Sequence, residues 1–84
     1  MKDVTLYVTN YCPYCRQAER FLSDKGVAFK AIDVTDDQPM RDKLVELTGQ
    51  RTVPQIFIGA ESIGGYSDMI KLHQAGQLDP KLNG

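Results

Sequence analysis

The chain carries two cysteines, Cys12 and Cys15, separated by Pro13 and Tyr14. A Cys-x-x-Cys pair that follows a strand and opens a helix is the arrangement of a redox dithiol in a βαβ setting. Residues three apart on a helix share a face with Cβ atoms about 5 to 6 Å apart, so a disulfide can form and break there with little backbone movement. The competing use is a structural staple in a secreted protein. A bridge closed over two intervening residues restrains the unfolded chain too little for that. The two sulfurs are not equivalent. Cys12 falls at the helix N-terminus, where unsatisfied N–H groups and the helix dipole favour negative charge, whereas Cys15 lies one turn in and lacks that advantage. Cys12 is therefore read as the nucleophile and Cys15 as the resolving thiol. A sulfur stabilised as thiolate gains little in attack, because nucleophilicity falls with basicity, but it leaves readily when another thiol attacks a mixed disulfide. A metal site built from Cys12, Cys15 and His73 would lack a fourth protein ligand and any usual spacing, so no metal is assigned.

The elements around the dithiol follow from hydrophobic periodicity. Val4, Leu6 and Val8 alternate with Thr5 and Tyr7, the period of a strand with one buried face. Pro13 suits a first helical position, and Cys15, Ala18, Phe21 and Leu22 carry a helix to Lys25, stopped by Gly26. Val27 to Val34 reads as a second strand around Phe29 and Ile32. Pro39 starts a second helix, whose Met40, Leu44 and Leu47 fall at i, i+4 and i+7 before Gly49 ends it. Val53 to Ile58 and Glu61 to Gly64, separated by Gly59-Ala60, form a hairpin; Pro54 is tolerable only at the front of such a strand or at an edge. Tyr66 to Ala75 is a short third helix that Leu78 to Leu82 could extend. The order is β-α-β-α-β-β-α. Two strands joined through a helix pair in parallel with a right-handed crossover, and the hairpin adds an antiparallel edge. The expectation is an α/β fold with a four-stranded mixed sheet flanked by three helices.

Eighty-four residues make one domain, spanning 1–84, with no internal repeat or linker. Ten Lys and Arg against eleven Asp and Glu leave a net charge of −1, which offers no electrostatic footprint for nucleic acid or an anionic membrane. The N-terminus runs directly into a strand without an apolar segment of signal-peptide length, so a cytoplasmic protein is expected.

Three stretches together, Cys12-Pro13-Tyr14-Cys15, Thr52-Val53-Pro54-Gln55-Ile56-Phe57-Ile58 and Gly64-Gly65-Tyr66-Ser67-Asp68, resemble a glutaredoxin of the small bacterial dithiol type, and the likeness spans essentially the whole chain. The resemblance implies the thioredoxin fold in its minimal form. It also implies a monomeric glutathione-dependent thiol-disulfide oxidoreductase with glutathione as reducing co-substrate and no tightly bound cofactor. Protein-glutathione mixed disulfides would be reduced through Cys12 alone, and protein disulfides through Cys12 and Cys15 together.

The resemblance further assigns a glutathione groove. Thr52 and Val53 precede a cis-Pro54, and the Val53 backbone pairs with the cysteine of the ligand like an added strand. Gly65, Tyr66, Ser67 and Asp68 open the last helix, Ser67 taking the γ-glutamyl carboxylate and Asp68 its ammonium; both residues would equally cap that helix. Tyr14 flanks the ligand, and Tyr66 either packs or touches it. His73 carries no catalytic role. One position departs from the family pattern: Thr9 stands where a Lys commonly meets the glycyl carboxylate, so that either Arg51, Arg16 or Gln50 meets it instead or glutathione binds more weakly. Two other readings use the same cysteines. A thioredoxin-like reductase driven by a flavoprotein is disfavoured by the absence of Trp and of Gly-Pro between the cysteines. A carrier with a [2Fe-2S] cluster held by Cys12 and glutathione from two chains is disfavoured by Pro13, which in the family goes with the catalytic type.

Overall fold

The computed structural model describes residues 2–84. Strand β1 (Val4–Val8) leads into α1 (Pro13–Asp24), β2 (Lys30–Asp33), α2 (Gln38–Thr48), the hairpin β3 (Gln55–Ile58) and β4 (Glu61–Gly64), then α3 (Tyr66–Gln74) and α4 (Leu78–Asn83). The sheet order is β2-β1-β3-β4. β1 pairs in parallel with β2 and antiparallel with β3, and β3 with β4 antiparallel, which is the mixed sheet expected from the connection lengths. Alternation in β1 is literal: Val4, Leu6 and Val8 are buried while Thr5 and Tyr7 are partly covered. The buried set joins Cys15, Ala18 and Leu22 of α1, Ile56 and Ile58 of β3, Met69 of α3 and Leu78 and Leu82 of α4 in one core. Tyr7 meets Phe57 edge-on, ring centroids 5.6 Å apart.

Three sequence expectations are corrected. The second strand is shorter than Val27 to Val34, because Val27 closes the preceding helix: its N–H donates to the Leu22 carbonyl at 2.9 Å, and that of Gly26 to Ser23 at 3.0 Å. The α2 stripe of Met40, Leu44 and Leu47 is not one buried face. Leu44 alone of the helix is buried, and Leu47 is 62% exposed. Finally, Leu78 to Leu82 do not extend the third helix. Gly76, at φ +71°, turns the chain after Ala75, and a fourth helix starts at Leu78. That turn lets Leu78 and Leu82 enter the core, where a straight extension of α3 would carry them away from it.

Candidate active site

The end of β1 and the start of α1 set the dithiol. Pro13 occupies the first turn of α1, and Cys12 is its N-cap. The Cys15 N–H donates to Cys12 Sγ at 3.1 Å, so the sulfur takes the place of the oxygen that usually satisfies a first-turn N–H. The Cys12 thiol in turn donates to the carbonyl of Val53 at 3.6 Å, tying the helix terminus to a loop 41 residues away in sequence. Cys12 keeps 8% of its surface in contact with solvent and Cys15 none. Burial is the main reason that the Cys15 thiol is pushed up from an ordinary 9.0 to about 12, with the Cys12 side chain acting in the same direction; the Thr9 main chain and the Arg16 charge act against it. At neutral pH Cys15 is therefore a protonated, inert thiol, and Cys12 is the sulfur a substrate can reach.

Beside Cys12 lies an open groove of about 330 Å³ lined by Tyr14, Gln50, Thr52, Val53, Pro54, Gly65, Tyr66, Ser67 and Asp68. The tertiary structure thus unites Tyr14 of α1, the Thr52–Pro54 loop and the start of α3, as the resemblance implies, and the Val53-Pro54 bond is cis. The rings of Tyr14 and Tyr66 face each other at 6.3 Å across it. Tyr66 also packs on the core, while Tyr14 stands out in solvent. Asp68 does cap its helix: its Oδ2 accepts the Gly65 N–H at 3.0 Å. Ser67 is exposed, and its hydroxyl makes no hydrogen bond within the described residues.

The expected cations are dispersed. Gln50 lines the groove, but Arg51 does not; it lines a neighbouring hollow of about 320 Å³ with Gln38, Arg41, Asp42 and Val45. Arg41, which sequence reasoning did not single out, donates to the hydroxyl of Tyr11, the residue before Cys12, at 3.5 Å. No local pattern signals it, because Arg41 and Arg51 sit on separate segments that only the fold brings together. Asp42 is engaged by the Gln38 side-chain amide at 2.8 Å, and neither arginine forms an ion pair among the described residues. Arg16 is committed elsewhere, to Glu19 and to the Thr9 carbonyl. Thr9 itself is wholly buried. His73 packs edge-on against Phe21 at 5.0 Å, a helix-packing role remote from the sulfurs.

Comparison with known proteins adds to this geometry. The family model described as Glutaredoxin matches residues 4–63. The chain is similar to Glutaredoxin 3 of Escherichia coli (strain K12), 42% identical over 82 residues that span 98% of this chain and 99% of that protein. It is similar to Glutaredoxin of Neisseria meningitidis serogroup A, 43% identical over 84 residues and 99% of each. Among solved structures, a buckwheat glutaredoxin–glutathione complex has a TM-score of 0.92 at 29% identity, covering 98% of this chain and 77% of that one. The family match ends at residue 63, so the start of α3 rests on the full-length relatives and on the groove itself.

Proposed function

The chain belongs to the glutaredoxin family, and from that premise we propose how its two sulfurs divide the work of a glutathione-dependent thiol-disulfide oxidoreductase. The observation that carries the reading is the contrast within the dithiol: Cys12 at the helix terminus, keeping some solvent-exposed surface and bonded to Val53 of the groove, and Cys15 wholly buried and held as a thiol. In the monothiol route, the Cys12 thiolate attacks the glutathione sulfur of a protein-glutathione mixed disulfide. A Cys12–glutathione disulfide forms and the protein thiolate leaves. A second glutathione then attacks the glutathione sulfur, releasing oxidised glutathione and returning Cys12. The N–H of Cys15 steadies the departing Cys12 thiolate in this step. In the dithiol route, Cys12 attacks a protein disulfide, Cys15 displaces the substrate thiolate from Cys12, and two glutathiones reduce the resulting Cys12–Cys15 disulfide.

The groove suits glutathione as an extended tripeptide. The start of α3 offers N–H groups to the γ-glutamyl carboxylate near Ser67, and Asp68 offers a carboxylate to its ammonium. The Val53 main chain pairs with the cysteinyl residue between the Tyr14 and Tyr66 rings. Gln50, the one lining residue among those expected to replace the usual lysine, offers its side-chain amide to the glycyl carboxylate, while Arg51 and Arg41 line the neighbouring hollow. All of these groups come from one chain, which supports action as a monomer. The need for a reducing glutathione pool supports a cytoplasmic setting and disulfide-bearing or glutathionylated proteins as partners.

The decisive experiment is a glutathione-coupled assay on a small glutathione mixed disulfide, run with Cys12→Ser and Cys15→Ser. Cys12→Ser is expected to be inactive, whereas Cys15→Ser retains deglutathionylation and loses reduction of protein disulfides. Equal loss in both variants would remove the monothiol route.

A further inference from the structure

Gln55 opens β3, and with Thr9 it is one of two buried polar residues among those described, only 3% exposed. A buried amide must find partners. Its Nε2 donates to the carbonyl of Gln50, five residues back, at 2.8 Å, and its Oε1 accepts from the hydroxyl of Thr48 at 3.0 Å. The amide can face only one way, because a carbonyl accepts and never donates.

Thr48, the last residue of α2, completes the arrangement: its hydroxyl oxygen accepts the Gln50 N–H at 3.1 Å, and its proton also lies within reach of the Leu44 carbonyl at 2.8 Å. Both main-chain polar groups of Gln50 are thus held by side chains. One holder ends α2, and the other starts β3, where Gln55 stands opposite Tyr7 in the ladder with β1. The sheet itself is the anchor. Farther along the same loop the Val53 carbonyl accepts from the Cys12 thiol and Pro54 is buried, so that end has fixings of its own.

We propose that Gln55, assisted by Thr48, is a positioning residue for glutathione recognition, fixing the Gln50 main chain so that the Gln50 side chain meets the glycyl carboxylate. The inference rests on the assignment of Gln50 to that carboxylate given above. Gln50 lines the groove, is exposed, and its own amide makes no hydrogen bond among the described residues. Only its rotamers are left to order when ligand binds. A main chain fixed beforehand removes the larger part of the ordering cost, which would otherwise be met from the binding energy. The effect belongs to the glycyl end of the ligand, since the Val53 end of the loop is secured separately.

The test uses the reduced full chain and two fluorescent peptide mixed disulfides, one carrying glutathione and the other γ-glutamylcysteine, which lacks the glycyl carboxylate. Rates of peptide release give kcat/KM for each, and their ratio is the preference for the glycyl group. Gln50→Ala and Gln55→Met are each expected to lower that preference about two- to tenfold, the range of one net hydrogen bond. The double variant should fall no lower than Gln50→Ala alone. Thr48→Val should lower the preference in the same direction while Thr48→Ser, which keeps the hydroxyl, retains it; this pair carries the test if Gln55→Met does not fold. A general loss of packing would lower both rates and leave their ratio in place. An unchanged ratio in Gln55→Met, or a further fall when it is added to Gln50→Ala, would overturn the proposal. An unchanged ratio in Gln50→Ala itself would overturn the assignment of Gln50, and the proposal with it.

Discussion

Cys12 and Cys15 share a helix face, but water reaches only the first, and this difference is worth more to the chemistry than their spacing. A thiolate must be stabilised where it meets substrate and suppressed where it would react out of turn. The Cys15 N–H serves the first need at Cys12, and burial serves the second at Cys15. Burial also links Cys15 to stability. Its folded thiol keeps the proton up to about 12, whereas an unfolded one releases it near 9.0. The stabilisation from holding that proton is complete below about pH 9 and is lost as pH rises toward about 12. Urea midpoints of the reduced protein should therefore fall between about pH 8.5 and about pH 10.5, and Cys15→Ser should flatten that slope. Parallel slopes in the two proteins would show that Cys15 ionises as it would in water.

At the scale of elements, the groove beside Cys12 is three chain segments brought together, and the turn from β4 into α3 is closely packed. Gly64 adopts φ +98°, and a Cβ built there would fall on the Asp68 carboxylate. Asp68 uses that space to reach the Gly65 N–H, holding the first turn of α3 open toward the groove. Gly64→Ala should cost roughly 1 to 3 kcal/mol, the range for a side chain forced into a sparsely populated backbone region. By displacing Asp68 it should also raise the KM for glutathione more than it lowers kcat. Urea unfolding with steady-state kinetics checks both; an unchanged KM would mean that Asp68 serves its helix and not the ligand. The start of α2 is simpler: Asp37 caps it through Met40 N at 3.1 Å, a local signal visible in the sequence three residues before Met40.

For the molecule as a whole, α4 is what closes the core behind the catalytic face. The Lys2 N–H donates to the Leu82 carbonyl at 2.8 Å, Lys25 pairs with Asp79 at 2.7 Å, and Lys81 with Glu61 at 2.7 Å. These exposed pairs contribute little by themselves. The anchors are Leu78 and Leu82, buried among β1, α1 and α3. Leu82→Ala should lower stability by about 2 to 5 kcal/mol in urea unfolding, as expected for a large core side chain removed without collapse. A loss below about 1 kcal/mol would show that α4 rests on the surface.

The sequence by itself determined what depends on short-range spacing. The dithiol and its helix, the alternation of β1, the hairpin at Gly59-Ala60 and the glycine stops at Gly26 and Gly49 are each written within one or two turns of chain. Three quoted stretches sufficed to anticipate a groove joining Tyr14, Thr52 to Pro54 and Gly65 to Asp68. Only the tertiary structure decided which side chains meet across distant segments: that Arg51 joins Arg41 rather than the groove, that Arg16 clasps Thr9 and Glu19, that Leu47 faces water, and that the chain turns at Gly76 to send Leu78 and Leu82 inward. The physical reason is the same in each case. Periodicity specifies which face of an element is apolar, but burial and pairing depend on what another element offers at that point, and that is a property of packing.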